Sequence, residues 1–314
     1  MKAGDGVFLH VVTDGRADAT VSVVLAHGFA ARLQMFDSQR AALRDRAGLV
    51  LFDQRGHGAS AWGGRSSANM ERLGRDLGEV IDQRTGSRPV VVVGHSMGGM
   101  ALMALAEQRP ELFGAKIVGI ALVSTSGGRL AETRLPPPVA RILMRTGIAR
   151  ACLWAAWLVA QLIDRLAPDA RPEERTGLRK RVFDRVVPAD LAAEMENLWA
   201  YTSRSIGSAF YPALLYHDGS RGMAALKSVP ALVVAGTSDV AIPAAHSERL
   251  AEALGPATRL VLVPGGGHMV NMTHPRRVNQ SLLDLLARAE GARPRDDQVI
   301  CDACDPAVAR TPTT

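Results

Sequence analysis

A serine, a histidine and an aspartate that could together perform nucleophilic acyl chemistry each follow an apolar run in this sequence. Ser96 lies in Val90–Gly99, VVVVGHSMGG, where a Val-rich run enters Gly94-His95-Ser96-Met97-Gly98. Such a G-x-S-x-G turn between a strand and a helix lifts the serine hydroxyl above a sheet on a strained backbone. Gly94 and Gly98 are needed because a β-carbon there would meet the adjoining strand or helix. The Met97 amide then falls at a helix N-terminus, aimed at a developing oxyanion. Ala231–Ala235 leads into Gly236-Thr237-Ser238-Asp239, and Leu260–Val263 into Pro264-Gly265-Gly266-Gly267-His268. A neutral hydroxyl is a poor nucleophile unless a histidine takes its proton and a carboxylate fixes that histidine's tautomer. Asp239 is the preferred acid, because Ile117–Val123 is followed by STSGG with no carboxylate; Asp218 and Asp164 are weaker alternatives. The chain order Ser, Asp, His differs from that of the chymotrypsin and subtilisin groups.

Positioning these groups falls to short runs rich in Val, Ile and Leu: Val7–Val12, Val21–Ala26, Leu49–Phe52, Val90–Val93, Ile117–Val123, Ala231–Ala235 and Leu260–Val263. Most are continuously apolar, as strands buried on both faces of a parallel sheet are. Helical patterns alternate with them: Met70–Thr85, with Leu73, Leu77, Val80 and Ile81 on one stripe, then Met97–Gln108, His246–Leu254 and Pro275–Ala289. The alternation predicts an open α/β sheet with helices on both faces and its ligand site beyond the strands' carboxyl ends. It breaks after Gly128, where helical patterns cover Val139–Thr146, Ala149–Leu166, Arg175–Val186 and Ala189–Ser203. The organisation read from this is a core over 1–128, a helical cap or lid over 129–225, the rest of the core over 226–290 and a loosely ordered tail over 291–314.

Five motifs occur in the order of one family. His27-Gly28-Phe29 follows an early strand, Leu51–Ser60 (LFDQRGHGAS) fits D-x-R-G-x-G-x-S, and GHSMGG, G-x-x-D and GGHM follow. The chain outside the insertion and tail resembles the α/β-hydrolase superfamily. The resemblance implies a mostly parallel sheet of about eight strands with helices on both faces and a helical cap. It implies a triad of Ser96, Asp239 and His268. It also implies oxyanion-binding amides at Phe29 and Met97, with Gly28 admitting close backbone approach. It makes Asp53, Arg55 and His57 turn and scaffold residues, and it leaves His10, His217, His246 and His274 outside the chemistry. Epoxide hydrolases and haloalkane dehalogenases of this fold use a carboxylate where Ser96 stands, so both are excluded.

The expected activity is therefore esterase- or lipase-like hydrolysis of carboxylic esters through an acyl-enzyme. The first half of the insertion is strongly apolar, and some of its residues, with Leu153, Trp154 and Trp157 as candidates, are expected to line a pocket for an apolar acyl group. The alternatives are a thioesterase or acyl-transfer enzyme of a biosynthetic pathway, a cofactor-free haloperoxidase or perhydrolase, and a non-catalytic ligand-binding protein.

Composition narrows the partners. The formal charge is +6 and the sequence pI about 9.7. Basic residues are spread along the chain, and the densest cluster, Arg171 to Arg185, is diluted by Glu173, Glu174 and Asp184, so no nucleic-acid partner is expected. Cys152, Cys301 and Cys304 form no disulfide framework, and the C-x-x-C at Cys301 lacks further zinc ligands, so neither metal nor cofactor is expected. The start of the chain has no signal-like apolar run, and Ile148–Leu166 carries Arg150, Gln161, Asp164 and Arg165. The expectation is a cytoplasmic protein without a transmembrane segment, whose apolar cap face leaves room for peripheral lipid contact. The oligomeric state is not legible.

Overall fold

The apolar runs pair into one seven-stranded sheet in a computed structural model that describes residues 1–128, 130, 148–166, 189–200 and 202–291. The strands are β1 (Val11–Gly15), β2 (Ser22–Ala26), β3 (Gly48–Phe52), β4 (Val90–His95), β5 (Ile117–Val123), β6 (Ala231–Gly236) and β7 (Thr258–Val263). Their order is β1-β3-β2-β4-β5-β6-β7, with only β1 antiparallel to its neighbour. From β2 the chain goes to one side to form β3, then returns to place β4 on the other. That reversal opens a crevice between β2 and β4 at their carboxyl ends, the usual ligand position in open parallel sheets.

Every residue of β2, β3, β4 and β6 is buried, which is why these runs carry no polar alternation. The first run behaves differently. Lys2 bridges Phe8, the Met1 amino group donates to the Leu9 carbonyl at 2.6 Å, and Phe8 is exposed. The apolar half of Val7–Val12 is thus taken by a local turn, and the edge strand forms from Val11 onward with the more polar VVTDG.

Helices α1 (Asp37–Leu43), α2 (Met70–Arg84) and α3 (Met97–Gln108) precede the insertion. Helices α4 (Ile148–Leu166), α5 (Ala189–Ala200) and α6 (Arg204–Leu215) lie between β5 and β6, followed by α7 (Met223–Leu226), α8 (Ala244–Leu254), α9 (Val270–Thr273) and α10 (Pro275–Ala289). Alternate strand residues divide the core. Val23 and Leu25 pack with Leu43, Leu282 and Leu285 from α1 and α10. Val24 and Ala26 pack with Leu77, Leu102 and Leu250 from α2, α3 and α8. The predicted stripe of α2 is buried, and the Asn69 side chain caps that helix by accepting from Arg72 N–H at 2.7 Å.

Sequence patterning did not mark α6, which contains Gly207 and Pro212 and whose N-cap, Ser203, accepts from Ile206 N–H at 3.3 Å. The expected helices Val139–Thr146 and Arg175–Val186, and the Cys301/Cys304 tail, lie outside the described residues. No helix among the described residues is long and apolar enough to cross a membrane.

Candidate active site

Ser96 sits where β4 turns into α3, with φ 51° and ψ −115°. Its N–H donates to the Val123 carbonyl at 2.9 Å, and its own carbonyl accepts from Thr125 Oγ1 at 2.7 Å and Gly99 N–H at 3.0 Å. The flanking glycines are sterically required. A β-carbon on Gly94 would lie 2.6 Å from Gly99 N, and one on Gly98 would lie 2.0 Å from the Ala26 carbonyl oxygen. Among the described residues, the non-glycine residues with positive φ are Ala30 (54°), Ser96 and Ser124 (45°). They follow β2, β4 and β5 at one end of the sheet, so backbone strain is concentrated where the sequence places its chemistry.

The loops after β6 and β7 are tied together. Ser238 N–H donates to Gly266 O at 2.9 Å, Gly265 N–H to Thr237 Oγ1 at 2.8 Å, and a β-carbon on Gly236 would lie 2.1 Å from Gly266 O. This pair of loops brings Asp239 and His268 to Ser96. His268 Nδ1 lies 2.8 Å from Asp239 Oδ2, and His268 Nε2 lies 3.1 Å from Ser96 Oγ. Asp239 Oδ1 accepts from the Ala241 and Ile242 amides at 2.9 and 2.8 Å, so its carboxylate cannot swing away. With a carboxylate at Nδ1, the ring carries its proton there and turns the Nε2 lone pair to the hydroxyl, the tautomer a general base needs. The other two candidate acids are engaged elsewhere: Asp218 accepts from Ser220 N–H and Asp164 from Ser205 N–H.

The loop after β2 passes beside the serine. A β-carbon on Gly28 would lie 3.2 Å from Ser96 Cβ and 2.7 Å from His95 Nδ1. No group among the described residues accepts from the Phe29 amide. Met97 is the first residue of α3, where an amide has no acceptor within its helix. His27, which sequence reasoning treated only as part of a turn, fixes this loop. Its buried Nε2 accepts from Gln54 N–H at 2.9 Å, so Nδ1 carries the proton and donates to Gly28 O at 2.8 Å. Among the described residues no three His, Cys, Asp or Glu side chains converge to hold a metal ion.

Asp53, Arg55 and His57 are buried and occupied as scaffold. Asp53 accepts from the Leu33 and Ala59 amides and faces His10 Nδ1 at 2.9 Å. Arg55 pairs with Asp76 and Asp5. His57 donates from Nδ1 to Arg55 O at 3.0 Å. His246 and His217 are buried, the former bonded to Ser126 Oγ at 2.8 Å. His274 Nδ1 lies 3.0 Å from Thr273 Oγ1.

Burial, reinforced by the neighbouring His27 and His268 rings, lowers the pKa of His57 and of His95 to about 3. An unfolded histidine titrates near 6.5. Between about pH 6.5 and 3 the unfolded chain therefore binds protons that the folded chain refuses. The stability these groups permit is complete above pH 6.5 and declines as pH falls, by about 1.4 kcal/mol per pH unit for each histidine. Urea unfolding at pH 7, 6 and 5 should show this decline, and His57→Phe should make it shallower. A profile unchanged by that substitution would contradict it.

His95, the residue before the serine, also touches the loop that carries His268. Its Nε2–H donates to the His268 carbonyl at 2.9 Å, and the two rings lie 5.0 Å apart. Among the described residues this is the only hydrogen bond made to the peptide groups of Gly267 and His268. His95→Phe is expected to lower kcat by about 10²-fold with little change in KM, since small displacements of reacting groups are costly. His95→Gln, whose amide can donate to the same carbonyl, should restore most of that loss. Steady-state kinetics of both variants checks this, and equal rates for Phe and Gln would refute it.

Leu153, Trp154 and Trp157 lie on α4, which packs on α6. Trp154 is about half exposed, and the Trp157 ring lies 4.8 Å from the Arg65 guanidinium carbon. The apolar cluster that includes Met97 instead draws on Phe210, Ile242 and Leu130, with Phe29 and Ile206 against it. Phe210 and Ile206 belong to α6, the helix that patterning missed, and Ile242 follows Asp239 in a polar-looking turn.

The sequence pattern of the Alpha/beta hydrolase family matches residues 23–281, and the chain belongs to that family. It is similar to the putative carbamate hydrolase RutD of Caulobacter sp. (strain K31), at 29% identity over 285 residues that span 90% of this chain and 96% of that protein. It is also similar to epoxide hydrolase A of Mycobacterium tuberculosis, at 29% identity over 319 residues spanning 91% and 96%. Among solved structures, a hydrolase from Pseudomonas aeruginosa PA01 superposes with a TM-score of 0.72 at 24% identity, covering 91% of this chain and 97% of that one. The esterase EaEST from Exiguobacterium antarcticum gives 0.73 at 20% identity, covering 91% and 98%. Likeness at these identities speaks to the fold.

Proposed function

We propose that this chain is a serine carboxylic ester hydrolase for substrates with an apolar acyl group, acting through Ser96, His268 and Asp239. The observation that carries this reading is the unbroken relay from Asp239 Oδ2 through both nitrogens of His268 to Ser96 Oγ, at 2.8 and 3.1 Å. Ser96 Oγ attacks the acyl carbonyl as its proton passes to His268 Nε2, and Asp239 stabilises the imidazolium. The Phe29 and Met97 amides hold the oxyanion, and loss of one such donor typically raises a barrier by about 3–4 kcal/mol. The imidazolium protonates the leaving alcohol. Water activated by the regenerated base then releases the acid.

Residues 129–225 act in this reading as a cap over the strand ends. The pocket is assigned to Phe29, Met97, Ile206, Phe210 and Ile242 ahead of Leu153, Trp154 and Trp157, because the first group clusters beside the nucleophile.

A carbamate is the second reading, favoured by the similarity to proteins named putative carbamate hydrolase. The same serine chemistry would serve, but the apolar side chains around Met97 suit a hydrocarbon chain better than a small polar acyl group. The likeness to an epoxide hydrolase carries less weight, because Ser96 stands where the usual ring-opening route of this fold needs a carboxylate.

The deciding experiment is turnover of p-nitrophenyl esters from acetate to palmitate beside ammonia release from carbamate. Ester turnover with an optimum at a medium or long chain is expected. Carbamate turnover without ester turnover would overturn the ester reading.

A further inference from the structure

His57 has one nitrogen to spare. Its Nδ1–H donates to the Arg55 carbonyl at 3.0 Å and its backbone N–H to Gln54 O at 2.9 Å, so the ring is held with Nε2 as a bare lone pair. Burial lowers its pKa to about 3, which keeps that lone pair unprotonated wherever a triad histidine can act as base. Nε2 is buried and, among the described residues, has no partner. Buried polar atoms are nearly always hydrogen-bonded, and leaving one unpaired is costly. The scaffold uses Nδ1 and gives no reason for that cost at Nε2.

The neighbourhood of His57 is the pocket assigned above. Its ring lies 5.3 Å from Phe210, 5.5 Å from His27 and 6.2 Å from Phe29, centroid to centroid. The adjoining turn presses on the same group: a β-carbon on Gly56 would lie 2.6 Å from Trp62 Cε3 and 2.9 Å from Ile206 Cγ2. One on Gly207 would lie 3.5 Å from Phe29 Cζ, so α6 closes on Phe29. Neither phenylalanine has a donor to give, and the N–H of His27 is taken by Gly28 O. The wall of an otherwise apolar pocket thus contains one neutral acceptor, and single placed polar groups of this kind set a pocket's specificity.

We infer that His57 Nε2 is a specificity-determining acceptor for a hydroxyl on the acyl chain, so that the preferred substrates are esters of hydroxylated medium- or long-chain acids. The half-buried Phe29 ring turns aside to admit that hydroxyl. A hydroxyl fits because the acceptor is neutral and buried. A cation would lose its hydration, an anion would face a lone pair, and an amide would bring a carbonyl that these side chains could not satisfy. Phe29 stands between His57 and the peptide assigned to the oxyanion, which puts the hydroxyl toward the far end of the chain. The inference rests on the ester reading for the chemistry at Ser96 and adds what the acyl chain carries.

The test compares p-nitrophenyl octanoate with the three p-nitrophenyl hydroxyoctanoates that bear the hydroxyl on one of the last three carbons. At least one of the three is expected to show a kcat/KM about tenfold or more above the plain ester. A wholly apolar wall would rank all three below it, because each would bury an unpaired hydroxyl. In His57→Phe the same ratio, in which any general loss of activity cancels, should fall below one. The nitrogen-15 resonance of His57 Nε2 should also move when the preferred hydroxylated compound binds, which keeps the assignment testable if that variant fails to fold. Turnover of the plain ester with no gain from any hydroxyl would overturn the inference and leave the ester reading standing, and so would a gain that His57→Phe retains or a resonance that does not move. Turnover of none of the four would overturn the ester reading, and calorimetry then decides the inference. Octanol is compared with the octanediols whose second hydroxyl lies on the same last three carbons; a tighter diol upholds the acceptor and uniformly weaker diols remove it.

Discussion

Ser96→Ala is expected to lower kcat on the preferred p-nitrophenyl ester by about 10⁵–10⁶-fold, the range found when a triad nucleophile is removed. Labelling by a fluorophosphonate should disappear with it. The fold should persist, because the change deletes one oxygen and leaves the backbone bonds of Ser96 to Val123, Gly99 and Thr125 intact. Alanine retains a β-carbon, so the strain of φ 51° stays in place. Glycine at this position would relieve it. Ser96→Gly should therefore be as inactive as Ser96→Ala but more stable, by about 1–3 kcal/mol. Equal stability of the two variants in urea would mean the turn is not strained. Wild-type turnover by either would mean Ser96 is not the nucleophile.

Ser96 stands out in the sequence as a candidate nucleophile because the constraints on its turn are local. A buried Val run, two glycines that tolerate no β-carbon and the start of a helix all fall within ten residues. Asp239 and His268 were legible for a related reason: each follows an apolar run that forms a strand parallel to β4, so its carboxyl end lies at the same end of the sheet. Three other features depend on contacts across the chain and could not be read this way. The donation from His95 to the His268 carbonyl spans 173 positions. His27 looks like an ordinary turn residue until its Nε2 meets the Gln54 amide of the neighbouring strand end. Helix α6 was hidden by Gly207 and Pro212, which weaken a helical pattern locally, although tertiary packing of Phe210 holds the helix in place. The displaced edge strand has a local cause instead: backbone bonds of Leu9 to Met1 and of Ala3 to Val7 close a turn that no periodicity reports.

Asp239→Asn tests the second half of the relay, and the outcome follows from the hydrogen bonds of this one side chain. Oδ1 accepts from two amides, Ala241 and Ile242, while Oδ2 faces His268 Nδ1. An asparagine here must keep its oxygen toward the two amides, because turning its NH₂ to them would set donors against donors. Its NH₂ then faces His268 Nδ1 and demands a lone pair there. The imidazole proton moves to Nε2, which points at Ser96 Oγ and can no longer accept from it. The expected result is a fall of about 10⁴-fold in kcat at neutral pH with nearly unchanged substrate affinity, as when the tautomer alone is made wrong. Asp239→Ala removes the demand for a lone pair and lets the ring sample both tautomers, so it should be impaired no more than Asp239→Asn despite deleting more atoms. Stopped-flow measurement of acyl-enzyme formation on the two variants distinguishes these cases. If Asp239→Asn acylated at the wild-type rate, another group would have to orient His268, and the relay would not be the basis of the activity.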